Sequence, residues 1–206
     1  MQFQGEDLIR DWPTNPVPVF KRAVFFDRDG TLNVDTHYPF DAAALEMLPG
    51  VLDGLKRIAA LPIHILVVSN QAGIALGLFT REQMSEFNKA LRLRVEENGG
   101  RLDAFYFSPD LEPKNLPSGA QASPYSKPAP GMLIEAASDY SVDLTSSMIV
   151  GDKLSDVAAG QAVQCKTVLL GPGKADENIA AAPDYRVSAF GEVVRLIMAE
   201  YGGVDQ

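Results

Sequence analysis

Positive charge, cysteine and histidine are all scarce in this chain of 206 residues. The single cysteine, Cys165, excludes an intramolecular disulfide and any metal site built from several thiolates, and we expect it to be buried as a small apolar group. Lysines and arginines number 18 against 27 aspartates and glutamates, which gives a net charge of -9 at pH 7. A chain this acidic lacks the clustered cations that bind nucleic acid or an anionic membrane surface, so we expect neither as a partner.

Long apolar segments are missing as well. No run approaches the length of about 18 to 20 residues that a membrane-spanning helix needs. The N-terminus has no basic start followed by an apolar stretch, so it does not indicate a signal peptide. Hydrophobic residues make up 46% of the chain and charged residues 22%, the balance of a folded globular protein. Length, charge and composition together predict one cytoplasmic domain, which we expect to be a monomer.

Short apolar runs alternate with helical patterns from residue 22 onwards, after a polar N-terminal arm (1–21) that contains Trp12. The runs predict six strands, at 23–26, 64–69, 104–107, 148–151, 167–170 and around 185–187. Helices are predicted from Pro49, after a Thr80–Gln83 capping box, from Pro130, over about 154–163 and over about 189–200. Gly171-Pro172-Gly173 is expected to end the fifth strand. This alternation predicts an α/β domain over 22–206, with a doubly wound, Rossmann-like parallel sheet covered by helices on both faces.

Polar side chains follow several of these strands, at the end where ligands bind in doubly wound folds. Asp27 and Asp29 follow the first strand, and residues two apart in an extended segment point the same way. Ser69 ends the second strand, Asp152 ends the fourth, and Lys127 precedes a helix. Three carboxylates in one cleft repel one another unless a cation lies between them, and carboxylates without Cys or His suit Mg²⁺. Because the hydroxyl and the ammonium are donors for phosphate oxygens, the pattern indicates phosphoryl chemistry at a Mg²⁺ site.

These residues resemble the motifs of the haloacid dehalogenase (HAD) phosphatase superfamily, in the same order and at the same strand ends. The matching residues are Asp27-x-Asp29-Gly30-Thr31, Ser69, Lys127 and Gly151-Asp152-x-x-x-Asp156. Longer strings resemble the branch of D-glycero-D-manno-heptose 1,7-bisphosphate 7-phosphatases and histidinol phosphatases: FFDRDGTLNVDTHYPF, VVSNQAGIALGLFT, KPAPGML and IVGDKLSDVAAG. The resemblance covers nearly everything from about residue 22 to 200.

The resemblance implies a role for each motif residue. Asp27 would be the nucleophile that forms an aspartyl-phosphate, and Asp29 would be the general acid that protonates the leaving oxygen and then the base that activates water. Mg²⁺ would be bound by Asp27, by the backbone carbonyl of Asp29 and by Asp152. Ser69 and Lys127 would hold the phosphoryl oxygens.

The resemblance also implies contacts with the rest of the substrate. The candidates are Asp35, Thr36, His37, Tyr38, Asn70, Gln71, Ser126 and Lys153, with Lys174 as a further one. Two of them have alternative roles, since Tyr38 could pack against Pro39 and Lys153 could neutralise Asp152 without touching a ligand. Asp156 either orients the phosphate-binding lysine or a metal-bound water, or is an exposed acid of its helix.

Some features depart from the family pattern. Members of this branch often carry a zinc loop of three cysteines and a histidine after the third strand, but residues 108–126 contain neither, so no zinc is expected. We expect this 19-residue loop to contribute to substrate selection instead. Ser126 and Leu76 stand where relatives often have arginine, which weakens the case for a doubly anionic substrate. The chain between the motifs is too short for a cap domain.

Other classes of protein use similar residues. A receiver-type signalling domain combines an acidic pair, a phosphorylatable aspartate, a hydroxyl and a lysine, but its acceptor should follow the third strand. A phosphate-binding protein without activity would not need both Asp27 and Asp29, and a nucleotide-binding Rossmann domain would need a glycine-rich loop that is absent. The sequence therefore predicts a Mg²⁺-dependent phosphomonoesterase. The predicted substrate is heptose 1,7-bisphosphate, and the alternative is histidinol phosphate or another small sugar or polyol phosphate.

Overall fold

A seven-stranded sheet forms the centre of the fold in the computed structural model, which describes residues 8–11, 19–174 and 179–203. The strands are β1 (Ile9–Asp11), β2 (Ala23–Phe26), β3 (His64–Asn70), β4 (Ala104–Ser108), β5 (Met148–Lys153), β6 (Lys166–Lys174) and β7 (Tyr185–Val187). They lie in the order β1-β4-β3-β2-β5-β6-β7, and every pair is parallel except β1 with β4. The predicted doubly wound α/β fold is confirmed.

Within the described residues, five α-helices cover the sheet. They are α1 (Val51–Ile58), α2 (Arg81–Glu97), α3 (Gly131–Tyr140), α4 (Leu154–Ala162) and α5 (Phe190–Tyr201), and short 3-10 helices span Ala42–Ala44, Pro113–Asn115 and Leu144–Ser146. Helix α2 begins at the predicted capping box, in which the Gln83 N–H donates to Thr80 Oγ1 and the Thr80 N–H donates to Gln83 Oε1. No helix among the described residues is both long and apolar enough to cross a membrane.

The two faces of the sheet carry separate cores because side chains alternate along each strand. In β2, Val24 and Phe26 belong to one core, and Ala23 and Phe25 belong to the other. Helices α1, α2 and α5 cover the first face, and α3 and α4 cover the second. Strand β2 is therefore buried on both faces, which explains its continuously apolar sequence.

Strand β1 was not predicted. It lies inside the segment interpreted as an arm, and it pairs antiparallel with β4 through Ile9 and Phe107. Its three residues are too few for a periodic pattern, and its partner lies about a hundred residues away, so the sequence carries no local signal for it. Trp12 lies outside the described residues.

The fifth predicted strand, 167–170, was expected to end at Gly171-Pro172-Gly173, and this prediction is wrong. Strand β6 runs on to Lys174, which pairs with Lys153 after an irregularity in the register. Both glycines have positive φ, 78° for Gly171 and 77° for Gly173, so the backbone bends there without leaving the sheet.

The central strands position the site. Strand β2 lies between β3 and β5 in the middle of the sheet. The carboxyl ends of these three parallel strands are therefore neighbours, all at the same end of the strands. The chain between β2 and β3, described throughout, holds only loops, a 3-10 helix and α1. It forms no separate cap domain, as the sequence predicted.

Candidate active site

All four predicted catalytic residues line one small pocket at these strand ends. Its walls are formed by Asp27, Asp29, Ser69, Asn70, Glu112, Lys127, Lys153 and Ser155. Asp27 follows β2 directly, and its backbone N–H donates to the carbonyl of Val150 in β5, 2.8 Å away. The loop that begins at Asp27 is thus attached to β5 at the point where it leaves the sheet.

Lys127 lies at the bottom of the pocket with only 4% of its surface exposed. Its Nζ donates to Asp27 Oδ1 at 2.7 Å and to the Val68 carbonyl at 2.8 Å. The same Nζ is 2.6 Å from Asp156 Oδ1. A buried ammonium is stable only with such partners, and here two carboxylates share it. Asp156 is therefore a buried partner of Lys127, not an exposed acid of its helix.

The charges of this cluster fix the ionisation of its members. Burial raises the pKa of Asp27, but the ammonium groups of Lys127 and Lys153 outweigh it, so the pKa of Asp27 lies below its usual value. Burial lowers the pKa of Lys127, but the carboxylates of Asp156 and Asp27 outweigh it and the pKa is raised. Burial raises the pKa of Asp156 to about 6, with Lys127 opposing the rise and Asp27 adding to it. Asp27 is thus an ionised carboxylate at neutral pH.

Asp29 lines the same pocket, and its carboxylate accepts four hydrogen bonds. Arg28 donates from Nε to Oδ1 at 2.8 Å and from Nη2 to Oδ2 at 2.7 Å. Asn33 Nδ2 donates to Oδ1 and Gln71 Nε2 donates to Oδ2, each at 2.9 Å. A carboxylate has about four lone-pair positions. The side chain of Asp29 is therefore held in one orientation by its own surroundings.

Asn70 and Gln71 have fixed partners inside the protein. The Asn70 amide brackets the backbone of Lys127, donating to its carbonyl and accepting from its N–H, both at 2.9 Å. Gln71 Nε2 donates to Ser69 Oγ at 2.8 Å as well as to Asp29. Asn70 lines the pocket, whereas Gln71 does not. Through these hydrogen bonds Asn70 holds Lys127 in place, and Gln71 holds Ser69 and Asp29.

Ser126 is also engaged away from the pocket. Its Oγ lies 2.7 Å from Ser108 Oγ, and both residues are buried. This contact joins the two ends of the loop 108–126, so Ser126 anchors the loop.

The loop after β2 carries four of the predicted substrate residues. Asp35 lines a cavity of about 450 Å³ next to the site, together with Asp152 and Gly30. Thr36, His37 and Tyr38 are exposed and do not line the pocket, and Tyr38 is 38% exposed. The remaining predicted substrate residues are Lys153, which is half-buried on the pocket wall, and Lys174, whose side chain lies outside the described part.

An acidic cluster beside the pocket fits a hard cation. Asp27, Asp152 and Asp156 each offer a carboxylate oxygen, and these atoms lie within 4.8 Å of one another. Gly30 makes the approach of Asp152 possible, because it has φ of 87° and a Cβ added there would lie 2.3 Å from Asp152 Oδ2. Closely spaced, buried carboxylate oxygens are the donors that Mg²⁺ takes in proteins. The predicted third ligand, the backbone carbonyl of Asp29, remains a prediction.

Three residues at the site were not predicted from the sequence: Arg28, Glu112 and Ser155, the last of which lines the pocket from the first turn of α4. Arg28 lies between the two motif aspartates but points away from the pocket, so the alternation argument passed over it. Glu112 comes from the loop 108–126 and lines the pocket, and no sequence signal singles it out.

Comparisons with known proteins agree with this geometry. The family model described as HAD-hyrolase-like matches residues 124–193. A D-glycero-beta-D-manno-heptose-1,7-bisphosphate 7-phosphatase from Yersinia pestis is 32% identical over 181 residues, which cover 87% of this chain and 96% of the relative. The protein of the same name from Escherichia coli K12 is 35% identical over 153 residues, or 74% of this chain and 80% of the relative.

Solved structures show the same fold. A putative HAD-like phosphatase from Mesorhizobium loti aligns with a TM-score of 0.79 and 29% identity, over 100% of this chain and 99% of that chain. The D,D-heptose 1,7-bisphosphate phosphatase from B. bronchiseptica, complexed with magnesium and phosphate, aligns with a TM-score of 0.74 and 26% identity, over 88% of this chain and 99% of that chain.

Proposed function

This chain belongs to the HAD-like phosphatases, in the branch of the heptose-bisphosphate 7-phosphatases, and from that premise we propose that it removes the 7-phosphate of D-glycero-D-manno-heptose 1,7-bisphosphate with Mg²⁺. It is a phosphoric monoester hydrolase. The observation that carries the proposed chemistry is the buried, ionised Asp27 beside the Lys127 ammonium, 2.7 Å away, with Asp29 on the same pocket wall.

The proposed reaction has two steps. A carboxylate oxygen of Asp27 attacks phosphorus in line, the bond from phosphorus to the sugar oxygen breaks, and that oxygen takes a proton from Asp29. Asp29 would carry this proton on Oδ2 in place of the hydrogen bond from Gln71 Nε2, which keeps Ser69 Oγ as its partner. Water then attacks phosphorus, Asp29 takes its proton, and the bond to Asp27 breaks to release phosphate. Ser69 donates a hydrogen bond to a phosphoryl oxygen, and Lys127 donates another through the N–H group that contacts Asp27 in the free protein. Both stabilise the charge that is spread over these oxygens in the transition state.

Mg²⁺ is part of the proposal because of the donor set. Asp27 and Asp152 would hold it together with the backbone carbonyl of Asp29, and when bound it supplies positive charge for the phosphoryl oxygens. Asp156 would keep Lys127 in place, since the two groups lie 2.6 Å apart. The similar D,D-heptose 1,7-bisphosphate phosphatase from B. bronchiseptica, complexed with magnesium and phosphate, supports the same assignment here.

Two observations favour a second candidate substrate. Glu112 places a carboxylate on the pocket wall, and Ser126 is buried against Ser108 where relatives often have arginine. A carboxylate suits a hydroxyl or an ammonium near the ester better than a second phosphate. Histidinol phosphate, which carries an amine, is therefore the alternative, followed by other small polyol phosphates.

Phosphate release distinguishes these candidates. It would be measured with Mg²⁺ and with EDTA on both anomers of heptose 1,7-bisphosphate, on histidinol phosphate and on a panel of sugar phosphates. We expect release that depends on Mg²⁺ and a large preference for one heptose anomer. Weak and even rates across the panel would contradict the substrate, and rates unaffected by EDTA would contradict the metal.

A further inference from the structure

We propose that Arg28 is the positioning residue that sets the orientation of Asp29, and that Asn88 of α2 holds Arg28 in turn. The inference rests on the proposed function, because it takes Asp29 as the acid and base of the reaction. Arg28 itself lies outside the pocket wall, so it acts only through Asp29.

The contact between Arg28 and Asp29 is bidentate. Nε and Nη2 of the guanidinium donate to different oxygens of the carboxylate, at 2.8 and 2.7 Å. Two parallel bonds between planar groups fix the plane of the carboxylate as well as its position. A lysine ammonium is a point charge and fixes only a distance, so it cannot replace this geometry.

Arg28 is held on its other side by α2 and by the loop after β2. Its Nη1 donates to Asn88 Oδ1 at 3.0 Å and its Nη2 donates to the Pro39 carbonyl at 3.1 Å. The guanidinium carbon lies 4.5 Å from the centre of the Phe87 ring, and Nη1 also contacts the sulfur of Met84. With 1% exposure, the side chain has no freedom to turn without breaking these contacts.

Asn88 is fixed as well, by the edge strand β1. Its Nδ2 donates to Asp11 Oδ2 at 3.0 Å, and Ser85 Oγ donates to Asp11 Oδ1 at 2.9 Å. A continuous series of hydrogen bonds therefore runs from Asp29 through Arg28 and Asn88 to the edge of the sheet. Asn88 is neutral, so it fixes the rest of the guanidinium without adding a charge to the buried Arg28–Asp29 contact.

A defined orientation of Asp29 matters most where the leaving oxygen needs a proton. Benzyl phosphate releases a basic alkoxide, whereas p-nitrophenyl phosphate of similar size releases a phenolate that is stable without protonation. The ratio of their kcat/KM values reports on the acid in the first step, because kcat/KM includes events only through phosphoryl transfer. Loss of folded enzyme lowers both values equally and leaves the ratio unchanged.

The test compares Arg28→Lys and Asn88→Ala with wild type, Asp29→Asn and Arg101→Lys. Arg101 is a matched control, since it pairs with Asp103 and the Ile63 carbonyl at the opposite end of the sheet. We expect Arg28→Lys to lower kcat/KM for benzyl phosphate by about tenfold and for p-nitrophenyl phosphate by less than about threefold. Asn88→Ala should shift the ratio the same way by about threefold, and Arg101→Lys should leave it unchanged.

The outcomes separate the two proposals. If Asp29→Asn shifts the ratio but neither Arg28→Lys nor Asn88→Ala does, the positioning role is wrong while the proposed chemistry stands. If Asp29→Asn leaves the ratio unchanged, the proposed acid is wrong. Thermal unfolding accompanies each variant, and should Arg28→Lys fail to fold, Asn88→Ala decides alone because it keeps the guanidinium.

Discussion

The inner wall of the site and its outer loops are built in different ways. The inner wall consists of Lys127, Asp29 and Asn70. Their polar atoms form hydrogen bonds with groups that β2, β3 and the loop before α3 hold in place. In the outer loops, His37 and Tyr38 are exposed, with left-handed φ values of 59° and 61°. The side chains of the inner wall are thus tightly constrained, whereas those of the outer loops lie where a sequence can change at little cost to folding.

The largest effect is expected from Asp27→Asn. Phosphate release should fall by about 10³-fold or more, because an amide cannot attack phosphorus as a carboxylate does. The fold should persist, since Lys127 keeps Asp156 as a partner 2.6 Å away. Turnover and thermal unfolding would be measured beside Asp53→Asn, an exposed acid of α1. Retained activity in Asp27→Asn would show that Asp27 is not the nucleophile.

A second test uses two glycines with positive φ. Gly30→Ala should lower Mg²⁺-dependent turnover by about tenfold or more, because its Cβ would lie 2.3 Å from Asp152 Oδ2. Gly50→Ala is the control, since φ is 80° there and no atom lies within 4 Å of the added Cβ. It should cost about 1 kcal/mol of unfolding free energy and leave turnover unchanged. Equal turnover for the two variants would show that the close approach to Asp152 is unimportant.

A smaller and more selective effect is expected in the outer loops. Removing part of 110–123, while keeping the Ser108–Ser126 contact, should raise KM for the preferred sugar phosphate by about tenfold. KM for p-nitrophenyl phosphate should change little, because a small aryl group makes few contacts outside the pocket. Equal changes for both substrates would mean that the loop serves the fold and not selection.

The smallest effect is expected at Cys165. The thiol is buried and donates to the Leu144 carbonyl at 3.0 Å, and burial raises its pKa to about 12. The reactive thiolate is therefore rare at neutral pH, and a thiol reagent should react far more slowly with the native protein than with the protein in urea. Fast labelling of the native protein would contradict the burial predicted from the sequence and found in the structure.

Features that depend on local patterns could be predicted from the sequence, whereas features that depend on distant partners could not. The five strands from β2 to β6 carry continuous apolar runs, so they were found, with the last one wrongly ended at Leu170. The three residues of β1 and the bend at Gly171–Gly173 depend on partners distant in sequence, which no local pattern reveals. The site residues at the strand ends were predicted from their positions after the apolar runs together with the family resemblance.

The roles of the supporting side chains could not be predicted. Contact of Asn70 and Gln71 with the substrate stays a prediction. Their hydrogen bonds to Lys127 and to Ser69 depend on tertiary packing, which no local pattern shows. Arg28 and Asn88 are separated by 60 positions in the chain, and only the packing of α2 beside the loop after β2 brings them together.

The central claim is that Asp27 carries the phosphoryl group during turnover. Quenching the reaction of wild-type protein with borohydride would reduce an aspartyl-phosphate to homoserine, which peptide mass spectrometry locates in the chain. The account predicts homoserine at position 27, only with substrate present and not in Asp27→Asn. Homoserine at another aspartate, or none during rapid turnover, would contradict it.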